Sequence, residues 1–205
     1  MTDKLIVSHR GALRGKYGAS GLARIRTALT QLIGADRKRG LVTRVLYLDD
    51  ARAMRARRAT AVTDPADYAA TKAAIDKVFR AESPDYLMIL GAPDVVAHQP
   101  LRNPLFEPPG EPDRYAWSDL PYACDGPVSD DTAAFTGPTR VVGRLPDLRG
   151  ATRASEAAHL VRLLRTAATY KRRAPEAYGA HFALSAKSWT VSSQRNLFAI
   201  FGRSD

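Results

Sequence analysis

Short apolar runs alternate along this chain with longer segments of helical periodicity, and that alternation limits the fold more than any other feature. Lys4–Ser8 (KLIVS), Leu41–Leu48 (LVTRVLYL), Tyr86–Leu90 and Thr139–Gly143 are aliphatic and β-branched enough for buried strands, with Ala180–Ser185 (AHFALS) expected as a fifth. After the first run, Gly11, Gly15, Gly18 and Gly21 punctuate an expected loop. Leu22, Ile25, Leu29, Leu32 and Ile33 then recur at helical spacing until Gly40. Asp64 stands as an N-cap with Pro65 at the first helical position, and Tyr68, Ile75, Val78 and Phe79 form an apolar stripe down to about Glu82. Amphipathic helices are also predicted from about Thr152 to Lys171 and from Ser193 to Phe201. Parallel neighbours need right-handed crossover connections, so this order predicts a three-layer α/β fold: a mostly parallel sheet with helices on both faces.

At 205 residues the chain has room for one well-buried core, and a single domain over 1–205 is expected. No run approaches the roughly 18 apolar residues of a membrane-spanning helix. The opening MTDKLIVSHRG lacks the apolar region and cleavage site of a secretory signal. These features predict a cytoplasmic protein without membrane contact. The single cysteine, Cys124, excludes an intramolecular disulfide framework and a multi-cysteine zinc site.

The third and fourth runs are joined by a Pro-rich connection over 92–138, far longer than the usual four to six or so residues. In parallel sheets, strand ends that feed such connections form the crevice where ligands bind. Candidate crevice residues therefore come from this stretch and its borders. Asp94, Asp113, Asp119, Asp125, Asp130 and Asp131 crowd it. Hard cations such as calcium take oxygen ligands of this kind, while Asp beside Pro and Gly also serves simply to form turns, which is the preferred reading. Cys124 would need a histidine or a cation beside it to act as a nucleophile. Its neighbour Asp125 opposes ionisation, and His9, His98, His159 and His181 are not placed beside it by sequence alone. The glycines after the first strand invite a phosphate-loop reading, but no GxGxxG and no Gly-Lys-Ser/Thr occurs, so a structural turn is preferred.

The net charge of +10 permits attraction to polyanions. Arginines are nevertheless spread over the whole chain, no aromatic residues interleave with the dense run at Arg52, Arg55, Arg57 and Arg58, and no helix-turn-helix or RNA-binding signature occurs. The pattern fits solvated helix faces better than a nucleic-acid interface.

The segments PDYLMILGAPDVV, SDLPYACDG, TRVVGRLPDL and AHFALSAKSW together resemble the first half of the catalytic domain of gingipain-type cysteine peptidases, a caspase-like α/β architecture. In that family a strand ends in a Gly-Asp turn, a Ser-Asp segment precedes a Tyr, and a Gly-Arg-hydrophobic turn leads into a long helix. The corresponding positions are Gly91, then Ser118, Asp119 and Tyr122, then Gly143, Arg144 and Leu145. The resemblance implies a cysteine endopeptidase scaffold whose catalytic His-Gly turn and Cys follow on later strands, beyond the residues present. Two positions depart from the pattern. Ala92 stands where the turn would carry Asp, with Asp94 as a substitute, and Lys187 stands where an acidic residue can orient the catalytic histidine. An ammonium there disfavours a protonated imidazole.

Asp94, Asp119, Tyr122, Asp125, Arg144 and Lys187 are thus the candidate site residues. The expected role is a truncated, split or inactive peptidase-like module, not active alone, with a protein or peptide partner, a complementary catalytic half or a second copy of itself. A flavodoxin-like domain that senses a small molecule or nucleotide is the alternative.

Overall fold

The computed structural model describes residues 2–147, 153–171, 173–178, 185 and 187–202. The chain divides into two compact units, Met1–Tyr170 and Lys171–Asp205, where one domain over the whole length was expected. The first unit runs β1 (Lys4–Ser8), α1 (Arg10–Lys38), β2 (Thr43–Tyr47), α2 (Ala51–Arg55), α3 (Tyr68–Glu82), β3 (Tyr86–Leu90), β4 (Gln99–Arg102), β5 (Tyr115–Ser118), α4 (Leu120–Ala123), a 3-10 turn (Thr132–Phe135), β6 (Val141–Leu145) and α5 (Arg153–Thr169). The second unit holds 3-10 turns at Pro175–Tyr178 and Lys187–Trp189 and helix α6 (Thr190–Phe201).

Four strands form a parallel sheet in the order β2-β1-β3-β6, with helices on both faces; β4 and β5 pair as a separate antiparallel hairpin. Leu5, Ile6 and Val7 of β1 and Leu87 and Ile89 of β3 are almost wholly buried, as strands covered on both faces must be. Leu13, Ile25, Leu29 and Leu32 of α1, Ile75 and Val78 of α3, and Leu160 and Leu164 of α5 complete one core. Burying each of these side chains contributes about 1.5–3 kcal/mol. Among the described residues no helix is long and apolar enough to cross a membrane.

Three expectations are corrected. The glycine-punctuated segment after β1 is helical, not a loop: α1 starts at Arg10 and continues through Gly11, Gly15 and Gly21. It is interrupted only at Gly18, whose φ of 69° and ψ of 178° are open to glycine and strained for other residues. Helix α3 is capped by Asp67, whose side chain accepts from the Ala70 amide, while Asp64 forms a local turn by accepting from the Ala66 amide at 2.9 Å. The stretch 92–138, expected as one long loop, carries β4, β5, α4 and the 3-10 turn. The fifth strand expected over 180–185 lies, apart from Ser185, outside the described residues.

Candidate functional site

Strand order reverses direction between β1 and β3, because the chain leaves β1 for β2 on one side and returns across it to β3 on the other. Connections diverge at that point, and the crevice outside the carboxyl ends of the strands is where doubly wound sheets hold ligands. Here the edge is built by the turns after β1, β3 and β6.

After β1, the first turn of α1 is closed to external anions. The Asp49 carboxylate accepts from the amides of Arg10 and Gly11, each at 2.8 Å, and His9 Nδ1 accepts from the Ala12 amide at 3.0 Å. His9 Nε2 lies 3.1 Å from the Val62 carbonyl, which fixes the proton on that nitrogen in the neutral ring. A phosphate would seek the same amides, and the chain's own carboxylate occupies them.

After β3, Gly91 turns the chain with φ 112°, and a Cβ there would stand 2.6 Å from the Val95 side chain. Its carbonyl and that of Val96 accept from Arg144 Nη1 at 2.8 and 2.9 Å. The other edge of the same guanidinium grips Asp119, Nε to Oδ2 at 2.7 Å and Nη2 to Oδ1 at 2.6 Å. Gly91, Asp119 and Arg144, from three separate sequence segments, therefore meet in one hydrogen-bonded cluster. A two-pronged guanidinium–carboxylate pair is among the stronger polar contacts available, and its geometry fixes both partners. His98 Nε2 lies 3.8 Å from Asp119 Oδ1, within ion-pairing range but beyond a hydrogen bond.

Lys16 joins the same edge from α1, two residues before the Gly18 break. Its ammonium lies 2.7 Å from Asp94 after β3 and 2.7 Å from Asp147 after β6. Burial alone would lower its pKa; the two carboxylates outweigh that and hold it raised. Asp147 Oδ1 also accepts from the Ala92 amide at 3.1 Å. Its Oδ2 is sealed from solvent and accepts no well-directed hydrogen bond among the described residues, so Lys16 holds it by charge.

The remaining candidates separate. Tyr122 is a core residue: its hydroxyl donates to the Ala97 carbonyl at 2.6 Å and accepts from Gln99 Nε2 at 2.7 Å, and burial raises its pKa. Asp125 lies toward the opposite end of β6, paired with Arg140 at 2.7 Å and Arg80 at 3.2 Å. Lys187 is exposed in a 3-10 turn of the second unit. Cys124 is buried with Leu101 and Phe135, its Sγ 3.6 Å from the Phe135 carbonyl. Five of the six loop aspartates are engaged one by one: Asp94 with Lys16, Asp119 with Arg144, Asp125 with Arg140, Asp130 with Arg102, and Asp131 as a turn cap. Among the described residues no group of three or more His, Cys, Asp or Glu could hold a metal ion.

Beside the Arg144 cluster opens a cavity of about 830 Å³, lined by Ala66, Tyr68, Pro93, Ala97, His98 and Trp117. Its size and largely apolar walls suit a ligand or a peptide side chain. Lys16, Asp147, Trp117 and Tyr68 were not singled out from sequence. Tyr68 carried only a helix-stripe signal and Trp117 only the alternation of a short strand, and nothing in the sequence placed Lys16 against two later turns.

No protein-family model matches this chain, and neither the curated proteins nor the solved structures compared with it include a similar one.

Proposed function

We propose that this chain is a peptidase-like α/β module of the gingipain type, whose crevice at the carboxyl edge receives a peptide or protein segment. The observation that supports this reading most is the meeting of Gly91, Asp119 and Arg144 in one cluster at the β3/β6 edge. These are three of the seven positions on which the resemblance rests, and nothing in strand packing alone requires three separated segments to share one guanidinium.

Thiolate chemistry would have to come from outside these 205 residues, because the only cysteine is buried against Phe135. The module's own residues supply shape and charge: an apolar cavity, an imidazole at its wall and a carboxylate locked behind it. A cytoplasmic setting belongs to this reading, as does a complementary catalytic half or a second copy as partner.

The 830 Å³ cavity favours one other reading, a small-molecule sensor of flavodoxin-like build. The Asp49 carboxylate on the α1 amides weighs against a phosphate-bearing ligand. Thermal-shift titration separates the two readings, since a ligand that binds only the folded state raises the apparent midpoint. Peptides containing Arg or Lys are expected to stabilise the chain saturably without being cleaved. Stabilisation by nucleotides but not peptides overturns the proposal in favour of the sensor, and peptide hydrolysis by the isolated chain overturns the assignment of the chemistry to other residues.

A further inference from the structure

We propose that Tyr68, Tyr115, Trp117 and Asp130 form a binding site for a small organic cation, an alkylated or quaternary ammonium group. These side chains line a second cavity of about 320 Å³, separate from the one beside Arg144 although Tyr68 and Trp117 border both, with Pro100, Val128 and Ser129 completing its walls. The peptidase-like reading gives this cavity no role, and the proposal does not rest on that reading.

Three aromatic residues and one carboxylate around a small space are the elements that recognise a diffuse positive charge. Aromatic faces carry negative potential and attract cations within about 6 Å, and the attraction grows as the cation is desolvated. A quaternary ammonium has no N–H to satisfy, so the apolar Pro100 and Val128 impose no unpaired donor. The rings are held at the surface at a cost the core does not recover: Trp117 is 61% exposed and Tyr68 40%. The guanidinium of the preceding residue, Arg114, lies 5.6 Å from the Tyr115 ring centre, near the outer limit of such an attraction.

Asp130 supplies the counter-charge. It is paired with Arg102 at 3.0 Å, but that arginine is 69% exposed. An exposed pair of this kind contributes little, and a carboxylate has lone pairs for a second partner. Asp130 therefore favours a cation over a neutral molecule of the same shape in so far as a ligand competes with the exposed Arg102 for it, which apolar burial alone would not do.

The test compares choline with its neutral isostere 3,3-dimethyl-1-butanol on the full chain, by calorimetry and saturation-transfer NMR. Choline is expected to bind at least about tenfold more tightly than the isostere. Trp117→Leu should weaken choline binding by about tenfold or more, Trp117→Phe should retain most of it, and Asp130→Asn should weaken it severalfold. Trp117 is exposed and Asp130 half-exposed, so thermal midpoints should hold; if one variant does not fold, the isostere comparison decides alone. Equal binding of the two probes, no choline binding up to roughly 20 mM, or choline binding unchanged in Trp117→Leu overturns the proposal.

Discussion

The two ends of β6 carry the same kind of contact and put it to different uses. At the carboxyl end Arg144 divides its donors between one carboxylate and two turn carbonyls, and an open cavity lies alongside. At the amino end Arg140 bridges Asp76 and Asp125 and stacks on Phe79, while Lys72, fully buried, contacts Asp76 and donates to the Gly126 carbonyl at 2.8 Å. The segment 119–125 runs between them, its first carboxylate on Arg144 and its last on Arg140. One end shapes a crevice; the other ties the long connection to α3 through the buried Lys72, Asp76 and Arg140, with the half-exposed Asp125 completing the balance of charge. A buried network of that sort is costly to break from one side, because the surviving charges have no water to turn to.

The sharpest way to break the comparison is at the amino end. Asp76→Ala strands the Lys72 ammonium and removes one partner of Arg140, and should cost about 3–5 kcal/mol in urea unfolding. A loss below about 1 kcal/mol would mean that the amino end is no anchor. Next comes Arg144→Met, which leaves Asp119 and two turn carbonyls without their donor and should cost about 2–3 kcal/mol. Its loss should be local: hydrogen exchange is expected to accelerate over 91–98 and to stay unchanged in α3. Uniform acceleration would erase the distinction between the ends.

Proton linkage should give the smallest effects and should differ in sign between the ends. Glu82, at the amino end, is burdened by burial, but the Thr2 hydroxyl, Arg57 and Arg44 outweigh that and hold its pKa lowered. A depressed carboxylate contributes stability that is full above its unfolded pKa, near 4.3, and is lost as pH falls through the folded value. Lys16, at the carboxyl end, is raised, so its contribution is full below the unfolded value, near 10.4, and is lost as pH rises through the folded one. Glu82→Gln should therefore flatten only the acid limb of the stability profile and Lys16→Met only the alkaline limb, each by about 1 kcal/mol or less. Chemical denaturation across pH reads both.

The framework was legible where burial alone sets the pattern. β1 and β3 match the expected Lys4–Ser8 and Tyr86–Leu90 because the middle residues of a doubly covered strand form an unbroken apolar run. The glycines misled, since glycine has uses other than ending a helix. Gly18 bends α1, and at Gly21 an added Cβ would stand 2.6 Å from the Cβ of Tyr17 across that bend. Asp64–Pro65 carried a capping signature that Asp67 took over three residues later, an error of the size local signals allow. The candidate site was half legible. Asp94, Asp119 and Arg144 gather at the carboxyl edge, while Tyr122 and Asp125 share their segment yet serve the core and the far end. A position within a segment does not reveal which end of a neighbouring strand its side chain will meet, and that is also why Lys16 and Asp147 escaped notice.

The sheet's two borders differ in what they would offer a further strand. β2 shows solvent the guanidinium of Arg44, and a strand arriving there would have to strip water from a charge. β6 shows Val141 at 60% exposure and, at Gly143, no side chain at all, above an apolar hollow of about 330 Å³ that reaches Tyr86 and Met88. Among the described residues, the border that offers a further strand an apolar face is therefore β6, beside the crevice, and not the charged border at β2.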